Sequence, residues 1–220
     1  MKGIDWKSFF TDILSVVLGI FITFGIQGMI DRKHEKKEVT SALELVREEL
    51  ANNLTNLREV IGLINSEKSA AISMSGAVGS MQKYDADSLT VWNSYLGTEY
   101  FFTVTDDALE LLKSSSLFQK INDKNLALGI IKSYDYLEAD AKAFNTHEEY
   151  KVSLFMDLNT DKMKKAALNN NGPALLKTFY SNTEAVYFLK SVIEMCDDSY
   201  LRAGLPEIEA TLADIGSRVE

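Results

Sequence analysis

Residues 9–30 read FFTDILSVVLGIFITFGIQGMI, and how this stretch is read decides how the whole chain is built. From position 13 to position 30, eighteen residues pass without a charge. At the helical rise that length reaches about 27 Å, close to the hydrocarbon thickness of a bilayer. Eleven of the eighteen are Leu, Ile, Val or Phe, together worth on the order of −3 to −7 kcal/mol at the membrane centre. Ser15, Thr23, Gln27 and the glycines subtract from that sum. A cleaved secretory signal has a shorter apolar run and a small-x-small end, whereas this one closes on Gly28, Met29, Ile30 and a charged cluster. A buried core helix normally keeps a polar stripe for solvent. The expectation is therefore a retained single-pass transmembrane helix at 13–30 behind a short flank at 1–12.

Ser15, Gly19, Thr23 and Gln27 recur every four residues and share one helix face. Small residues let two backbones approach in lipid, and a buried amide gains from a neighbour, so this stripe is a candidate homo-oligomeric contact. Ser and Thr bonding back to their own helix carbonyls is the competing reading. Residues 31–38, DRKHEKKE, form a charged collar at headgroup level, with Arg32, Lys33, Lys36 and Lys37 as its basic members. Lipid contact by those four is the alternative to simple solvation. Against Lys2 and Lys7 on the other flank, they lean the body toward the cytoplasm by the positive-inside rule.

Outside the anchor about 190 residues remain, enough for one domain with a real core. Proline occurs only at Pro173 and Pro206, so long helices are expected. A net charge of −9 argues against a nucleic-acid partner, which needs a basic face. The lone cysteine, Cys196, allows no internal disulfide and reads as a small core residue on the line Ala185, Leu189, Val192, Cys196, Ser199, Ala203.

Apolar residues at Val39, Leu43, Val46, Leu50, Leu54, Leu57, Ile61 and Ile64 step by three and four. They predict an amphipathic helix continuing the anchor, either one wall of a bundle or a parallel coiled coil. The small-residue run at 69–81 reads as a close-packed helix or a turn. Asp87 or Ser88 is expected to cap a short helix ending at Gly97. EYFFTV follows as the one strand-like stretch. Trp92, Tyr95, Tyr100, Phe101 and Phe102 are the aromatic centre, either lining an apolar pocket or capping the core. Further helix starts fall at Thr105 to Asp107, at Asn122 or Asp123, and at Ser181 with Glu184 as a capping box. Gly204 is expected to close the helix that carries Cys196. The predicted fold is all-α: the transmembrane helix running into an up-and-down helical bundle at 39–220.

No catalytic, cofactor-binding or metal motif stands out. Neither His34 nor His147 has ligand spacing, and no GxSxG elbow or phosphate loop occurs. His147 with Glu148, Glu149 and Asp140 could contact a metal, but a polar helix face is the favoured reading.

The segments LSVVLGIFITFGIQ, ELVREELANNL and ALELLKSSSLFQKINDKNL resemble those of a family of uncharacterised bacterial membrane proteins. The resemblance implies a single-pass inner-membrane protein with a helical body and no established activity. Many such proteins have longer, more basic amino termini, which implies a body on the outer side, against the charge rule. The expected function is a membrane-anchored helical interaction, scaffold or sensor-like subunit, homo-oligomeric, with the bilayer and another membrane protein as partners. The alternative is an oligomeric effector or pore gated by its helical domain.

Overall fold

A computed structural model describes the backbone of residues 6–158, 161–168 and 172–219, and the side chains from Lys33 onward except 162, 163, 166, 167 and 173 within that backbone. Every regular element among them is helical. The first, α1 (Trp6–Ala77), runs unbroken for 72 residues. Val46, Leu50, Leu54, Leu57, Ile61 and Ile64 are all buried along one side of it, as their spacing requires. The small-residue run is helical to Ala77: Ser66, Ser69 and Ser73 bond back to carbonyls four residues earlier, while Ala70, Ala71, Met74 and Ala77 are buried. Gly79, at φ 91°, ends it in the left-handed conformation that costs glycine nothing.

The chain returns through α2 (Ala86–Gly97) and α3 (Asp107–Ser114), joined by a non-helical segment at 98–106. The cap of α2 is Asp85, whose carboxylate accepts from Ser88 N, two or three residues earlier than the sequence suggests. Among the described residues EYFFTV pairs with no strand. Side chains of the two flanking helices bond its backbone instead: Asn145 accepts from Phe102 N and donates to Phe102 O, and Asn53 does the same at Thr105. Those bonds satisfy peptide groups that burial would otherwise leave orphaned.

Next, α4 (Lys124–Asp157) starts on Asp123, which accepts from Asn125 N and Leu126 N. Lys120, just before it, pairs with Glu35, and His147 meets Glu67, so α4 runs parallel to α1. Two short helices, α5 (Asp161–Leu168) and α6 (Gly172–Phe179), turn the chain around. The last leg comprises α7 (Thr183–Met195), α8 (Ser199–Arg202) and α9 (Leu205–Val219). Asp198 accepts from Asn65, Glu209 pairs with Arg58, and Arg218 pairs with Asp123, so this leg descends. The topology is up, down, up, down, with two continuous ascending helices and two segmented descending legs.

The sequence expectation of one helix through Cys196 to Ala203 is corrected. The helix stops at Met195, Cys196 is its C-cap, and a separate turn carries Ser199. The cap before it is Asn182 rather than Ser181. Gly204 is needed where α8 meets α9: an added Cβ would sit 2.7 Å from Tyr136 Cβ.

Buried apolar side chains form two clusters. A proximal core joins α1 from Ala42 to Ile64 with α3, α4 and α9. A distal core joins Ala70 to Ala77 of α1 with α2, α6, α7 and the end of α4. The anchor expected at 13–30, with Ser15, Gly19, Thr23 and Gln27, lies outside the residues whose side chains are described, as does Arg32. Among the described residues no helix is long and apolar enough to cross a membrane.

Candidate functional site

Between the two cores the inward faces of α1 and α4 turn from apolar to charged at the same level. On α1 the buried positions run Ile61, Ile64, Glu67, Ala70, Ala71, Met74; on α4 they run Leu137, Asp140, Ala141, Phe144, Glu148, Lys151, Leu154. Helical spacing alone commits Glu67, Glu148 and Lys151 to the interior, and they are 3 %, 1 % and 2 % exposed. The favoured reading of this stretch as a polar helix face is overturned for Glu148 and for Asp140, which is 5 % exposed, whereas His147 is partly exposed and Glu149 exposed.

The geometry is compact. Lys151 Nζ donates to Glu148 at 2.8 Å and stands 3.5 Å from Glu67 Oε1. His147 Nε2 lies 3.0 Å from Glu67 Oε2. The backbone N–H of Tyr100 donates to Glu148 Oε2 at 2.9 Å, tying the 98–106 segment to the layer. From α7, Cys196 Sγ approaches both ring nitrogens of His147 at 3.9 Å. Burial alone would push the His147 imidazolium down, but the contacts with Cys196 and Glu67 outweigh it and raise His147 to about 10. With that ring protonated, two cations face two carboxylates and the layer is neutral. Such a group costs desolvation that its pairing must offset, so removing one member leaves an expensive buried charge behind.

Two oxygens stand out. Glu67 Oε1 and Asp140 Oδ2 are buried without a hydrogen-bond partner among the described residues. Asp140 lies two turns before His147 on α4, and burial raises its carboxyl to about 7. Tyr200 of α8 lies close enough to Cys196, Asp140 and Glu67 to feel their charge, and burial drives its hydroxyl up to about 12.

Glu67, His147 and Glu148 each offer one donor atom within 4.8 Å of the others. Imidazole and carboxylate oxygens with a thiol alongside suit a borderline cation such as zinc. Sequence reasoning missed Glu67 and Lys151. The available signal was a charge at a core position of each stripe, opposite in sign on the two helices.

The other sequence candidates scatter. Of the aromatic centre only Phe102 is in the core, while Phe101 is 57 % exposed. Trp92 and Tyr95 line a shallow cavity of about 400 Å³ against Asn65 and Ser69. Lys33, Lys36 and Lys37 are exposed. Lys36 borders a cavity of about 780 Å³ at the proximal end, floored by Val39, Leu43 and Ile121. Set against protein-family models, curated proteins and solved structures, the chain matches none.

Proposed function

We propose that this protein is a bacterial membrane-tethered helical module that senses or scaffolds rather than catalyses, and that it works as a homo-oligomer. The observation that carries the reading is the continuity of α1, one helix from Trp6 to Ala77. It joins the apolar stretch at 13–30 to both cores and to Glu67, so a rotation or shift at one end is felt in the packing at the other. In this reading residues 13–30 span the inner membrane, Ser15, Gly19, Thr23 and Gln27 meet a second copy, and the charged collar sits at the headgroups. The basic residues after the span favour a cytoplasmic body.

Two measurements test it. Alkaline carbonate should leave the full-length chain in the membrane pellet; release into the supernatant would end the tether. In a Cys196→Ser background, Gly19→Cys and Thr23→Cys should each give disulfide-linked dimers in native membranes, and no dimer at either position would end the stripe contact. A reporter fused to the carboxyl terminus reads the side of the body.

A further inference from the structure

We propose that the cavity at the proximal end of the bundle binds a single-chain amphiphile with an acidic head, of fatty-acid type. Lys36 meets the head, and the end of the proximal core meets the tail. The inference goes beyond the membrane reading and does not need it, since the cavity lies within the described helical body.

Three helices meet around this cavity. α1 passes it with Lys36, Val39 and Leu43, the turn before α4 supplies Ile121, and the end of α9 supplies Arg218. Its volume of about 780 Å³ falls in the range of small-molecule sites, about 300–1,000 Å³. The walls divide by depth. Leu43 and Ile121 are buried members of the proximal core and Val39 packs against it, so a hydrocarbon tail laid on this floor lengthens that core. The rim is charged, and its charges do not cancel. Glu35 pairs with Lys120 at 2.8 Å and Asp123 with Arg218 at 2.6 Å. Among the described residues of the rim this leaves Lys36, which is exposed, as the uncompensated charge. A chain of net charge −9 thus keeps one surplus cation over an apolar floor. That pairing selects an acid on an apolar tail: a bare anion gains nothing from the floor, and an uncharged lipid gains nothing from Lys36.

The direction of the cavity narrows the ligand further. Leu43 stands seven residues beyond Lys36, about 10 Å further from residues 13–30 along α1. A tail on the floor with its head at Lys36 therefore points away from that stretch, the reverse of a lipid seated in a bilayer that 13–30 span. A free single-chain acid can adopt this orientation, whereas a phospholipid would have to draw both tails out of the membrane.

The test is photolabelling of the full-length protein, reconstituted with phosphatidylcholine vesicles, by trace diazirine-bearing palmitic acid, phosphatidylglycerol or phosphatidylcholine, with sites read by peptide mass spectrometry. The acid probe should label residues 39–43 and 121–126 saturably, and unlabelled palmitate should displace it. Lys36→Glu trades an attraction for a repulsion and should lower that labelling about ten-fold. Lys37→Glu alters a side chain that lines a different cavity, with Leu45 and Leu111, and should leave it unchanged. Thr40→Trp fills the cavity and should abolish it. Equal labelling by the phosphatidylcholine probe would reduce the site to bilayer contact and overturn it, as would equal losses in Lys36→Glu and Lys37→Glu, which mark diffuse surface charge. Labelling by phosphatidylglycerol in place of the acid overturns the single-chain assignment. Residues 13–30 are the internal reference: label there from none of the three probes sinks the tether and leaves the cavity standing. Should Thr40→Trp fail to fold, the two lysine variants still decide.

Discussion

The two cores are built in opposite ways. In the proximal core, α1 presents Val46, Leu50, Leu54, Leu57 and Ile61 to Leu126, Ile130 and Leu137 of α4 and to Ile208 and Ile215 of α9. Side chains of similar size interdigitate along helices. In the distal core α1 presents Ala70, Ala71 and Ala77 around Met74, and much of the opposing volume comes from aromatics on α6, α7 and the end of α4. Phe155 packs 4.7 Å from Phe179 and edge-on to Phe188 at 6.1 Å, while Phe179 meets Tyr180 at 4.9 Å. Equal sizes demand long matched stripes; small against large lets segmented elements pack closely on a smooth helix. The charged layer lies where one regime gives way to the other.

Breaking the layer should have the largest effect. Lys151→Ala leaves Glu67 and Glu148 facing each other in the interior, and losing one partner of a buried ion group costs about 3–5 kcal/mol. Urea unfolding should show that loss. Native-state hydrogen exchange should show amides of both cores becoming less protected, because the layer touches both. Protection lost only on the distal side would mean that the cores are energetically separate.

Volume changes of opposite sign sharpen the contrast. Leu57→Ala empties a fully buried proximal site and should cost about 2–5 kcal/mol. Ala71→Leu inserts bulk at a fully buried small residue of α1 and should cost about 1–3 kcal/mol. An Ala71→Leu protein of unchanged stability would show spare room in the distal core and remove the small-against-large account.

The same contrast explains what was legible in the sequence. Leu43, Val46, Leu50, Leu54, Leu57, Ile61 and Ile64 could be assigned to the core by spacing, because a three-four pattern of large apolar residues has few other readings, while Val60, also buried, falls off that pattern. The run at 69–81 could not, since alanine and serine carry little periodic signal and the aromatics opposite them lie about a hundred residues further along. The layer was half legible: His147 was grouped with Glu148, Glu149 and Asp140, though as a polar helix face, and the residue that meets His147 is Glu67, eighty positions away on another helix. The break at Cys196 was hidden because the apolar line runs on through Ser199 and Ala203 although the backbone does not.

Asn145 tests the bracing of the 98–106 segment, which reaches the layer through Tyr100. Asn145→Ala strips both backbone bonds from Phe102, and leaving such groups unmatched in the interior costs about 1–3 kcal/mol. Because Tyr100 N bonds Glu148, the variant should also loosen the layer, seen as faster exchange at that amide. An unchanged Tyr100 amide would show that the layer holds the segment without help from Asn145.

The smallest effect depends on pH and separates the two unusual titrating groups. Asp140 has a native carboxyl raised to about 7 from 3.8, so between those values the folded protein holds a proton that the unfolded chain releases. Its contribution to stability falls as pH rises from about 4 to about 7 and stays lost above that. His147 is raised to about 10 from 6.5; its contribution is complete below 6.5 and is lost as pH climbs through 10. The parent protein should therefore weaken in two steps, one on each side of neutrality. Asp140→Asn keeps the shape and removes the charge, so it should erase the acidic-side step alone. The gain should be about 1–2 kcal/mol at pH 8, set by no longer burying an unpaired carboxylate, and close to nothing at pH 4. Denaturant midpoints across pH for the two proteins measure this. If the profile of the Asp140→Asn protein still falls between pH 4 and 7, Asp140 is solvated in the native state and the step belongs to another group.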